Sequence, residues 1–261
     1  MRSLAIMYHD VVAGGDFESS GFPGEGANVY KLNRDDFERH LDAIAAAVPP
    51  GTVATISPEQ HAVKPELYLT FDDGGVSAST VIAGMLEQRG WRGHFFVTTG
   101  RIGQPGFLNA EQIRNLYLSG HVIGSHSHTH PTRMAALSRA QLNEEWERSI
   151  GVLSDLLRAG VTVASVPGGY YSQQVGEAAG TAGIQALFTS EPTTKVGVLP
   201  KCLVLGRYVI QRGMGPDWSA GFAAGKAGYR WRQSLLWAAK KMAKRIGGAK
   251  YLEVRRKMLE K

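Results

Sequence analysis

The sequence predicts a single distorted (β/α) barrel of about seven parallel strands, with a basic helical appendage at its C-terminus. Three observations predict it. Apolar, β-prone runs alternate with helical patterns from end to end, as parallel βαβ units require. About seven such runs suit a closed or nearly closed barrel better than a doubly wound sheet. No G-x-G-x-x-G follows any of them, which argues against a dinucleotide-binding fold. The 261 residues fit two small domains or one large one, and a 43% hydrophobic fraction supports a core and excludes a wholly disordered chain. Cys202, the lone cysteine, excludes an internal disulfide and a thiolate metal cluster.

The elements follow in order. Leu4–His9 reads as a strand, and the Gly/Pro-rich segment Gly14–Asn28 behind it is long for a βα loop, a length usually tied to function or disorder. Asn33 stands as N-cap of an amphipathic helix over Asp35–Ala47, with Phe37, Leu41 and Ile44 at helical spacing. Strand Leu67–Phe71, helix Ala78–Arg89 stopped by Gly90, and strand His94–Thr98 come next. Helix Ala110–Ser119 ends at Gly120 and leads into strand His121–Ser125. Ser138 and Gln141 form a capping box for a long helix to Ala159, stopped by Gly160. Val161–Val166, Ile184–Thr189 and Leu203–Ile210 complete the strands, with a short helix over Gln173–Ala182.

Charge divides the chain in two. Residues 226–261 hold twelve Lys/Arg against two Glu, whereas residues 1–225 hold seventeen basic and twenty-one acidic side chains. The expected organisation is a barrel over 1–225 and a basic extension over 226–261. Neither a basic face on the body nor a reading module is present, so nucleic acid is not an expected partner. In Tyr229–Ile246, Trp231, Leu235, Ala238, Met242 and Ile246 keep helical spacing while Lys and Arg line the other faces. That pattern reads either as a helix on an anionic membrane surface or as one packed on the barrel with its charges solvated. The apolar start of the chain is too short for a signal peptide and is interrupted by His9-Asp10, and no stretch is long enough to span a bilayer. A cytoplasmic protein, at most peripheral to the inner face of a membrane, is expected.

The chemistry collects behind the strands. Tyr8-His9-Asp10, Thr70-Phe71-Asp72-Asp73-Gly74, Ser125-His126-Ser127-His128-Thr129-His130 and Pro167-Gly168-Gly169-Tyr170 each follow a strand, and a parallel barrel gathers such ends on one face. Asp72 and Asp73 at a strand end direct two carboxylates apart, one toward a metal and one toward substrate; alone, Asp-Asp-Gly-Gly is also good turn chemistry. Three histidines within five residues change the balance. Two His and one carboxylate, with a site left for water, form a catalytic zinc arrangement. Spacing does not fix which two of His126, His128 and His130 bind. Tyr30, Phe107, Tyr170 and Tyr171 lie near loops, where they would stack on sugar rings or pack in the core.

These motifs resemble the polysaccharide deacetylase family, also called NodB-homology or carbohydrate esterase family four. Thr70-Phe71-Asp72-Asp73-Gly74 and His126-Ser127-x-x-His130-Pro131 match its first two motifs, and Pro167-Gly168-Gly169-Tyr170 is a divergent third, over roughly residues 1–210. The resemblance implies one divalent metal (zinc first, cobalt or nickel as substitutes) and hydrolysis of N-acetyl groups on amino sugars. It implies Asp72 as general base, Asp73, His126 and His130 as metal ligands, His128 as a bystander or a group supporting the ligands, and the Gly168 N–H as an oxyanion donor. Three positions depart from the family: Ser165 stands where it has an Arg, Phe188-Thr189-Ser190-Glu191 stands near its Asp-Trp motif, and no His follows His130 to act as general acid. The Tyr8-His9-Asp10 context resembles a circularly permuted branch, which implies His9 as that acid. Asp10 would orient His9 or cap the following loop, and Arg207 is a candidate for the missing guanidinium. The reading is a metal-dependent N-deacetylase of an amino sugar, polysaccharide or lipid-linked glycan. Its rivals are a barrel acting on a small non-sugar amide or imide, and a non-catalytic glycan- or membrane-binding module.

Overall fold

A computed structural model describes residues 2–56 and 66–239. Nine strands form one curled sheet: β1 (Leu4–Tyr8), β2 (Leu67–Phe71), β3 (His94–Val97), β4 (Val122–Ser125), β5 (Val163–Ser165), β6 (Ala186–Phe188), β7 (Gly197–Leu199), β8 (Cys202–Leu205) and β9 (Tyr208–Val209). Their order is β9-β1-β2-β3-β4-β5-β6-β8-β7, all pairs parallel except the β7–β8 hairpin. The sheet is the expected distorted barrel.

The run 203–210, predicted as one strand, is two. Leu203–Leu205 pairs with Ala186–Phe188 of β6, and three residues later Tyr208 and Val209 pair with Ile6 and Met7 of β1. One extended segment thus changes partner at Gly206-Arg207 and joins the first strand to the sixth. The crossing is tight: a Cβ on Gly206 would lie 2.4 Å from the Glu191 carbonyl oxygen and 2.5 Å from that of Thr193, so only glycine fits.

Strand periodicity sorts the core. Ile6, Leu69, Phe95 and Ile123 face outward and pack with Phe37, Leu41 and Ile44 of helix α1 (Arg34–Ala47). Ala5, Tyr68, Phe96, Val163 and Phe188 form a separate inner cluster, where Phe188 meets Tyr68 and Phe96 across the barrel at centroid distances of 6.1 and 5.4 Å. His94 sits in this interior, hydrogen-bonded through Nδ1 to the Leu69 carbonyl and through Nε2 to the Ile56 N–H, which makes it a neutral, satisfied core histidine.

Helix boundaries carry the remaining differences. The stretch Ala78–Arg89 begins as a wide π turn over Ala78–Ile82 before helix α2 (Ala83–Glu87). Helix α3 (Ala110–Leu118) has a capping box between Asn109 and Gln112, and α4 (Arg139–Leu157) has the expected one between Ser138 and Gln141. Helix α4 stops at Arg158 in the left-handed region, two residues before Gly160. Helix α5 (Gln173–Thr181) matches its expected span, whereas the Asn33 side chain makes no cap hydrogen bond. Helix α6 (Pro216–Ala223) packs on α1 and leads into helix α7, residues 227–239. The Gln233 side chain of α7 accepts from the Val209 N–H and donates to the Val209 carbonyl, covering the free edge of β9. The rest of the expected basic helix lies outside the described residues. Among the described residues no helix is long and apolar enough to cross a membrane.

Candidate active site

The C-terminal ends of β1, β2, β4 and β5 bring the four polar clusters to one face, around a cleft of about 660 Å³ lined by His9, Asp72, Asp73, His126, His130 and Gly168. Asp72 and Asp73 follow β2 immediately. They diverge because Asp73 is left-handed, φ 77°, rather than through the alternation of an extended strand. Ser127 and His130 are also left-handed, at φ 65° and 57°, so the His126–His130 segment is a strained loop, neither strand nor helical turn. The Ser127 hydroxyl accepts from the His130 N–H, and Glu145 of α4 accepts the N–H groups of His128 and Thr129.

This loop settles which histidines converge. The Nε2 atoms of His126 and His130 both lie 3.4 Å from Asp73 Oδ1, and the three ligand atoms fall within 4.8 Å of one another. His128 turns away, its Nδ1 2.8 Å from the Thr99 hydroxyl, and takes no part. Burial works against ionisation of Asp73, yet hydrogen bonds from His126 and His130 hold its carboxyl well below the ordinary carboxylate range. Two imidazole nitrogens and a carboxylate oxygen facing a common centre fit a divalent metal of the zinc type. His126 is prepared for that role. Its Nδ1 lies 2.6 Å from Ser165 Oγ, a contact that fixes the ring with Nε2 facing Asp73.

Arg207, the candidate for the missing guanidinium, lies against Asp72. It is fully buried at the segment that closes the barrel and binds Asp72 with a fork, Nη1 to Oδ1 at 2.6 Å and Nη2 to Oδ2 at 2.7 Å. Its Nε donates to the Thr189 carbonyl, Nη1 also reaches the Thr70 hydroxyl, and the plane lies over Phe96 and Phe188. Ser165 therefore does not leave a gap: its hydroxyl donates to Asp72 Oδ1 at 3.1 Å while receiving His126 Nδ1. Burial would raise the Asp72 carboxyl, but the Arg207 charge, with His126, holds it below the ordinary value. Asp72 is a carboxylate locked in one orientation.

His9 lies in the cleft against the ring of Tyr30, 4.7 Å between centroids, and its Nδ1 is buried without a hydrogen-bond partner among the described residues. Asp10 does not orient it. The Asp10 carboxylate instead accepts from Ser20 Oγ at 2.5 Å and Ser77 Oγ at 2.7 Å, and burial raises its pKa. It anchors the long loop behind β1, whose Phe17 and Phe22 carbonyls accept from the buried Lys31 ammonium. That loop places Phe22 4.7 Å from the His130 ring, a contact no local sequence pattern announced. Gly168 has φ +63°, and a Cβ there would sit 3.0 Å from the Thr132 carbonyl oxygen. Tyr30, Tyr170 and Tyr171 line the cleft as one of their two expected roles required; Phe107 does not, being buried beneath Phe22. Arg133 stacks on Tyr170, and Glu191, Gln211 and Trp237 of α7 complete the walls.

The polysaccharide deacetylase family model matches residues 59–187. YxkH of Bacillus subtilis (strain 168), named for the same family, is 22% identical over 192 residues, which are 72% of this chain and 64% of YxkH. The chain thus spans less than two thirds of that relative. The Streptococcus pyogenes deacetylase PplD, solved with acetate, shares the fold at a TM-score of 0.63 and 21% identity, over 83% of this chain and 96% of PplD. IcaB from Ammonifex degensii gives 0.66 and 22%, over 85% of this chain and 97% of IcaB.

Proposed function

Because the chain belongs to the polysaccharide deacetylase family, we propose that it is a metal-dependent hydrolase that removes N-acetyl groups from an amino sugar within a glycan. The observation that carries the reading is the pairing of two adjacent carboxylates in opposite roles: Asp73 grouped with His126 and His130 within 4.8 Å, and Asp72 turned away into the Arg207 fork. A divalent metal held by Asp73, His126 and His130 would supply a Lewis acid that acidifies water and polarises the amide carbonyl. The chain's own groups divide the remaining work. Asp72, kept ionised and fixed by Arg207 and Ser165, takes the proton of the attacking water. The Gly168 N–H offers a backbone donor to the developing oxyanion. His9 gives a proton to the departing amine, which is a poor leaving group without it.

Tyr30, Tyr170 and Trp237 around an open cleft favour a sugar chain over a small amide, because aromatic faces stack on pyranose rings and an open trough admits neighbouring residues. The test is acetate release from N-acetylglucosamine oligomers. Wild-type protein supplied with zinc or cobalt is expected to release acetate and the Asp72→Asn variant to lose about 10²-fold or more. Equal rates would remove Asp72 from the reaction, and no release by wild type would leave a binding module as the better account.

A further inference from the structure

Helix α7 carries an apolar face that its packing on the barrel leaves uncovered. The face against the body carries Tyr229, Arg230, Gln233, Ser234 and Trp237: the Tyr229 ring packs on Trp218 and Phe222, while Gln233 binds the Val209 backbone, Ser234 Oγ the Pro192 carbonyl and Tyr229 OH Asp217. The face toward solvent carries Trp231, Leu235 and Leu236, which are 63%, 49% and 59% exposed. A surface helix ordinarily turns its apolar stripe inward, so an outward one marks an interaction surface. Charge indicates its partner. The stripe belongs to the segment 226–261 with twelve Lys/Arg and two Glu, attached to a body in which acids outnumber bases. An apolar stripe within so cationic a segment is complementary to an anionic lipid surface, where Trp and Leu enter the acyl boundary and Lys and Arg meet headgroups. A second copy of this chain would bring two strongly cationic segments together.

We propose that α7 is a membrane-docking element that seats the protein on an anionic bilayer through Trp231, Leu235 and Leu236. The same helix contributes Trp237 to the cleft wall, so docking brings the cleft to the lipid surface and favours a glycan held at the membrane. This last step rests on the deacetylase reading; the docking itself does not.

The experiment is co-sedimentation of the full chain with phosphatidylglycerol–phosphatidylcholine vesicles and with pure phosphatidylcholine vesicles, at low and high salt. Wild type and a Trp231→Ser/Leu235→Ser/Leu236→Ser variant are compared. Wild type is expected to bind the anionic vesicles in a salt-sensitive way, and the variant about tenfold or more weakly, with unchanged acetate release from soluble oligomers. Should the triple variant fail to fold, Leu236→Ser alone is expected to weaken binding measurably. Equal binding to neutral vesicles, or undiminished binding by the variants, overturns the proposal. So does a wild-type dimer that the substitutions abolish in a protein that ignores vesicles. Failure of acetate release with vesicle binding intact would count against the deacetylase reading alone.

Discussion

Replacing Arg207 by Met removes two of the three hydrogen bonds that the Asp72 carboxylate receives from side chains, leaving the Ser165 hydroxyl. Each charge-assisted bond to a buried carboxylate contributes about 1.5–3 kcal/mol, and breaking a buried ion pair from one side costs about 3–5 kcal/mol. The carboxyl has one escape. Burial raises its proton affinity, and without the Arg207 cation the strongest influence opposing that rise is gone. Proton uptake by Asp72 would soften the loss of stability, but without the fork Asp72 is no longer held as an ionised, oriented base. Arg207→Met is therefore expected to stay folded, to keep its metal, and to lose about 10²–10³-fold in kcat. Arg207→Lys restores charge without the fork and should fall between the two. The assay is acetate release from N-acetylglucosamine oligomers beside metal content and thermal unfolding. An Arg207→Met enzyme within about threefold of wild type would refute the role assigned to the guanidinium.

Three further outcomes follow from the geometry. His9→Ala should lower turnover by about 10²-fold with metal content unchanged; near-normal turnover would remove His9 as the acid. Lys31→Met leaves the Phe17 and Phe22 carbonyls without their ammonium donor, loosening the loop over His130, so KM should rise more than kcat falls. Unchanged Michaelis parameters would contradict that anchoring role. Burial pushes the His94 imidazole down to about 4, against about 6.5 in an unfolded chain. Between those values the unfolded state binds the extra proton, so stability falls as pH drops through this window, by roughly 3 kcal/mol in full. Denaturant midpoints across the window should decline less steeply in His94→Gln, and an equally steep decline would show that another group is responsible.

The strand sequence and the grouping of a carboxylate with histidines behind the strands were legible from local signals, although which two histidines join Asp73 came only from the family resemblance. Leu67–Phe71 is continuous and apolar, and Asp73, His126 and His130 sit directly behind strand ends. What the sequence concealed is long-range or stereochemical. Arg207 meets Asp72 across 135 positions, at a point where one extended segment changes partners, and no periodicity marks such a crossing. Ser165 looked like a lost arginine, yet its small hydroxyl is what lets His126 and Asp72 share a bridge while Arg207 enters from the other side. Phe22 and Lys31 act through a loop whose composition told only that it was long. The π turn at Ala78–Ile82 and the left-handed Asp73 and His130 are decided by the packing around the site rather than by residue type. Phe107 takes the second of its two expected roles, core packing, because proximity to a loop does not distinguish a wall from the layer beneath it.

Metal content per chain, measured by elemental analysis on wild type and Asp73→Ala after both are supplied with zinc or cobalt, tests the central claim most directly. About one divalent ion per wild-type chain is expected, and its loss in the variant, because Asp73 is the carboxylate facing both imidazoles. A wild-type protein that takes up no metal, or a variant that retains it in full, would contradict it.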